Sequence, residues 1–161
     1  LFVMSTLHHG LNLSKRADSV LRTLDYTAIF WHIAATVSVL VVFRYAGFIG
    51  YAILIATWLI AAAGITLRST LPNLPKHISN TLFIALGWIP AFVLLGEAGM
   101  MPLRELVLLG VGGLLYSIGF YMYVVEKPNP IKGVFGFHEI WHILVICAAT
   151  AHALLVISVI K

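Results

Sequence analysis

Read for polarity, the chain alternates long apolar runs with short polar breaks. Apolar stretches cover residues 27–43, 47–67, 78–96, 106–125 and 137–160, and a shorter one covers 1–13. A helix needs about 20 such residues to cross the hydrocarbon of a bilayer, so the five longer runs are expected to be membrane spans. The run at 1–13 opens on Leu1 without an initiator Met, and is expected to be the remaining part of a further helix. The breaks carry their own signals: "RSTLPNLPKH" and "EKPNPIKG" contain prolines that do not continue a helix, and "RYAG" and "GEAGMMP" are short. No connector is long enough for a folded extramembrane domain. The pattern therefore predicts an all-α, polytopic transmembrane helix bundle, with 1–161 as a single transmembrane helical domain.

Composition strengthens this reading. The chain is 61% hydrophobic and 10% charged, with a mean hydropathy of +1.01, whereas an ordinary soluble domain carries roughly 25% charged residues. Its net charge of +4 would suggest nucleic acid in a soluble domain. Here the basic residues sort by connector: Lys15, Arg16, Arg22, Arg68, Lys76, Lys127 and Lys132 fall on one side, and Arg44, Arg104 and Lys161 on the other. Cytoplasmic loops collect Lys and Arg, so the first set is expected in the cytoplasm, the last span runs outward, and no nucleic-acid partner is expected. The one cysteine, Cys147, excludes an intrachain disulfide and is expected to pack in the last span. Small residues, "AAAG" at 61–64 and Gly110, Gly112, Gly113 and Gly119, permit close helix approach without specifying an oligomeric state.

Against this background a few polar residues stand out, because an ionisable group at membrane depth is expensive and by default marks a site. In "FGFHEIWHILVI", residues 135–146, His138 and His142 lie four apart and so on one helix face, with Glu139 between them in an HExxH pattern. Two imidazoles one turn apart can bind a metal ion; the plainer alternative is two histidines bonded to neighbouring carbonyls. In "MSTLHHG", Ser5 and His9 repeat the spacing of four. In "RTLDYTAIF", Asp25 is expected in the first turn of its helix, where the macrodipole stabilises a carboxylate and Arg22 offers a partner. By the topology above, all five groups arrive at the cytoplasmic leaflet.

The segments "STLHHG", "LDYTAIF" and "FHEIWHILV" resemble the Ser-x3-His, Asp and His-x3-His signatures of the hemolysin III proteins, bacterial relatives of the progestin and adipoQ receptor family. The resemblance spans nearly the whole chain. It implies a seven-helix bundle whose first helix is missing from this chain, with a zinc ion near the cytoplasmic face of the bacterial inner (plasma) membrane. On that pattern His9, His138 and His142 are the zinc ligands, and Ser5 and Asp25 surround the metal-bound water. His8 stands where relatives often have Tyr, and as the neighbour of His9 it is expected to point about 100° away.

Three imidazoles leave a fourth zinc position for water, whose pKa falls from 15.7 to about 7. The first reading is therefore a zinc-dependent hydrolase of lipid amide or ester bonds, ceramidase-like by the resemblance, with a membrane lipid as substrate. Asp25 and Ser5 are its expected catalytic residues, and Glu139 is the second choice of base. A different class is a non-enzymatic protein, a pore-forming cytolysin or a regulator of membrane state, in which zinc only staples helices. An intramembrane protease with Glu139 as base would leave Ser5 and His9 unexplained. His32, seven residues after Asp25 with Thr36 beyond it, is expected to be a packing histidine, His77 a solvated one, and His152 lies outside the expected site.

Overall fold

In a computed structural model, the described residues are 1–11, 14–71, 74–96, 101–131 and 133–161. They form six helices: α1 (Phe2–Gly10), α2 (Lys15–Arg44), α3 (Phe48–Thr70), α4 (Lys76–Gly96), α5 (Leu103–Val125) and α6 (Phe137–Ile160). Asn12 and Leu13 of the first apolar run, Pro72 and Asn73 of the proline connector, residues 97–100 in "GEAGMMP", and Lys132 of the basic set lie outside the described residues. Among the described residues there is no strand, only an isolated bridge between Ile131 and Phe135. Helices α2 to α6 are each long and apolar enough to cross a membrane.

The apolar runs locate the helices, but α2 begins well before its run does. Ser14 caps it, its Oγ accepting from the Ala17 amide at 3.4 Å, and Asp18 supplies the first-turn carboxylate. Asp25 is thus ten residues past Lys15, nearly three turns inside the helix, and not in its first turn as the sequence suggested. A macrodipole acts only over the first turn, so Asp18 has that role and Asp25 must be accounted for otherwise. The helix is longer than its apolar run, because the polar segment 15–26 extends it by a little over three turns.

The chain forms two compact units, Leu1–Glu97 and Ala98–Lys161. In the first, Phe30 and Ala34 of α2, Ala61 of α3 and Leu86 of α4 make a fully buried cluster. Ala61 and Gly64 are buried while Ala62 and Ala63 are exposed, so the small residues of this run sort by helix face. Gly64 admits the Phe30 ring, because a Cβ there would overlap it. Polar contacts add two ties: Trp58 Nε1 donates to Ser38 Oγ at 3.0 Å, and the Tyr45 hydroxyl donates to the Leu94 carbonyl at 3.2 Å.

In the second unit α5 and α6 pack along two glycines seven residues apart. A Cβ at Gly112 would overlap the His152 ring, and one at Gly119 would press on Trp141 and Leu144. The buried face of α6 runs through Ala148, Ala151, Leu155 and Val159. Cys147 falls beside that face and is exposed, so it does not pack as expected.

These contacts predict unequal responses to one added methyl group. Gly64→Ala should lower stability by about 1–3 kcal/mol through overpacking, whereas Gly110→Ala, whose Cβ would meet nothing within 4 Å, should not. Thermal unfolding of the detergent-solubilised protein compares the two.

Candidate metal centre

The first turn of α6 is held from three directions before its histidines come into play. Glu139 Oε2 accepts from the Gly136 amide at 2.8 Å, which closes the helix start. Asn129, in the connector from α5, donates through Nδ2 to the Glu126 carbonyl at 3.0 Å and accepts at Oδ1 from the Phe137 amide at 3.2 Å. Glu126 itself takes a left-handed conformation, φ 56°, to end α5. Together these bonds tie the connector to the helix start and fix where His138 points.

On that helix the Nε2 atoms of His138 and His142 face each other at 3.1 Å. Both rings are partly buried and framed by aromatics: Trp141 lies 5.7 Å from His138 and 4.8 Å from His142 between ring centroids. Tyr123 of α5 lies tilted against Trp141, 5.0 Å between ring centroids, bracing this frame from the neighbouring helix. A pair of imidazole nitrogens this close can share a proton in a hydrogen bond or direct two lone pairs at one cation. Tyr123, Trp141 and Asn129 were missed in the sequence because none carries chemistry; only packing gives them a role.

In the first unit, α1 and α2 bring together a second set. His9 Nε2 is 3.8 Å from Asp25 Oδ2, with the His9 side chain 42% exposed and that of Asp25 15% exposed. Ser5 lies one turn before His9 on α1, partly buried. Arg22, offered as the partner of Asp25 by the sequence, is exposed, and Asp25 has His9 beside it instead. His8 does not turn away from His9 as helix geometry alone suggested: the two ring centroids are 4.5 Å apart, and His8 Nδ1 is 3.6 Å from Asp18 Oδ1.

The remaining polar candidates resolve into local roles. Thr36 donates its hydroxyl to the His32 carbonyl at 3.0 Å, so this hydroxyl is used within its own helix. His77 is exposed, as expected. His152 sits against Gly112 and Tyr116, with Nε2 3.5 Å from the Leu109 carbonyl. Glu139 is exposed and engaged with Gly136, which fits a helix-start acid.

Five spanning helices of this composition, with no strand among the described residues, define an all-α integral membrane protein. The chain matches the haemolysin-III related family over residues 1–153, and it belongs to that family. It is similar to the hemolysin-3 homolog of Bacillus subtilis (strain 168), 29% identical over 157 residues, which cover 94% of this chain and 68% of that protein. Hemolysin-3 of Bacillus cereus is 27% identical over 91% of this chain and 64% of its own length. The human monocyte to macrophage differentiation factor is 28% identical over 94% and 62%. The chain thus spans about two thirds of the length of these relatives. No solved structure matches it significantly.

The role of Glu139 as a cap separates it from the chemistry of its histidine neighbours. Glu139→Ala should lower the unfolding temperature slightly, as read by thermal unfolding of the purified variant; an unchanged temperature would show that the cap adds no stability.

Proposed function

We propose that this membrane protein binds one zinc ion through His9, His138 and His142 and hydrolyses an amide or ester bond of a membrane lipid. The observation that carries the proposal is the 3.1 Å approach of the His138 and His142 Nε2 atoms on an apolar helix. Ligands about 2.0–2.1 Å from a tetrahedral zinc stand roughly 3.3 Å from each other, so this pair suits two corners of such a site. The third imidazole, His9, follows from the haemolysin III pattern in "STLHHG". Its 3.8 Å distance to Asp25 is too long for a direct hydrogen bond and suits one shared partner.

When bound, zinc supplies Lewis acidity, which polarises a carbonyl and makes water nucleophilic near neutral pH. Asp25 accepts the proton that water gives up as its oxygen adds to the lipid carbonyl carbon. It returns that proton to the nitrogen or oxygen that leaves when the C–N or C–O bond breaks. Ser5 donates a hydrogen bond to the carbonyl oxygen as negative charge builds there. The scheme makes no use of Glu139, whose carboxylate is held by the Gly136 amide. The distribution of Lys and Arg supports a site at the cytoplasmic face of the bacterial plasma membrane.

A second reading is favoured by the names of the two Bacillus relatives, hemolysin-3 and its homolog: a cytolysin or a regulator of membrane state, with zinc in a structural role. Metal content and lipid hydrolysis decide between them. Purified wild-type protein should hold about one zinc per chain after dialysis, and His9→Ala, His138→Ala and His142→Ala should each lose at least nine tenths of it. Asp25→Asn and Ser5→Ala should keep the zinc but hydrolyse a ceramide-type amide roughly 10²–10⁴-fold more slowly. Folded wild type without zinc would end the proposal, and zinc-loaded protein inactive on lipid amides and esters would leave the structural reading in its place.

A further inference from the structure

We propose that the first compact unit holds a divalent transition-metal ion by itself, through His8, His9 and Asp25, in a weaker site that shares only His9 with the three-histidine set. One ligand atom from each of the three residues lies within 4.8 Å of the others. Ligands on one zinc stand at most roughly 4.2 Å apart, so small side-chain rotations close the set. This does not rest on the three-histidine reading, because every residue involved belongs to α1 or α2.

Three observations converge on His8. Neighbouring helical residues diverge by about 100°, yet the rings of His8 and His9 meet at 4.5 Å in the last turn of α1. The His8 side chain is only 14% exposed, and its Nδ1 atom is buried with no hydrogen-bond partner. A buried ring nitrogen left in that state is unfavourable, and a cation can satisfy an imidazole lone pair. The nearest carboxylate, Asp18 Oδ1 at 3.6 Å from Nδ1, is beyond hydrogen-bond distance and adds negative charge beside the ring. Two imidazoles with a carboxylate suit Zn²⁺ and Co²⁺ rather than Ca²⁺ or Mg²⁺, which favour oxygen ligands.

His9 belongs to both sets, so the two sites compete for that residue.

The test uses the whole chain, free of any histidine tag, in detergent. Cobalt is titrated and followed by its d–d absorption in the His138→Ala/His142→Ala background, with and without His8→Ala, and with Asp25→Asn as an independent removal. The background protein should bind one Co²⁺ saturably, and either further substitution should weaken binding at least tenfold. An absence of saturable binding in a folded background, or an affinity that neither substitution changes, would overturn the proposal. Helical content and unfolding temperature establish folding, and His138→Gln/His142→Gln replaces the alanine pair if the latter unfolds. Failure of the three-histidine reading shows elsewhere, as wild-type affinity that survives removal of His138 and His142.

Discussion

Everything in this chain follows from one constraint: inside hydrocarbon no water satisfies a backbone amide or carbonyl, so each must be bonded within its own helix. Several hydroxyls are satisfied in the same way. Thr23, Thr36, Ser38, Ser117 and Thr150 each donate to the carbonyl four residues earlier, at 2.7–3.0 Å, which removes them from any common polar pathway. What this leaves available for chemistry is a small group of imidazoles and carboxylates. His9 and Asp25 in one unit and His138 and His142 in the other belong to that group.

The second constraint is packing without a hydrophobic driving force, since lipid tails are as apolar as the helices they surround. Contacts then depend on shape, and small residues mark where one helix receives a large side chain from another. Gly64 receives Phe30, Gly112 receives His152, and Gly119 faces Trp141. The last of these has a functional consequence. Trp141 is wedged between His138 and His142 on one side and Tyr123 on the other, so the close packing of α5 on α6 also limits the freedom of the two imidazoles. Rigid support of this kind is what lets two ring nitrogens hold a ligand geometry in place of sampling many.

Much of this was legible in the linear pattern. Apolar run lengths located α2 to α6, and Gly136 marked where α6 begins. The Ser-x3-His and His-x3-His spacings placed each pair on one face, as a 3.6-residue period requires. The start of α2 was not legible, because run length reports contact with lipid, whereas a helix continues into polar surroundings for as long as its backbone bonds and its cap allow. That displaced Asp25 from a terminal carboxylate to an interior one beside His9.

By itself the sequence determined that the protein is helical, that it belongs in a membrane, and which residues are too polar to be there without a reason. Those properties depend on composition and period, which are local. Only the tertiary structure decided which nitrogen meets which carboxylate. It brought His8 alongside His9 and Asp18, left Cys147 exposed, and braced His142 through a tyrosine nineteen residues away in sequence. Such pairings depend on how neighbouring helices meet and on the rotamers that their contact permits, and neither is written in the periodicity of a single segment.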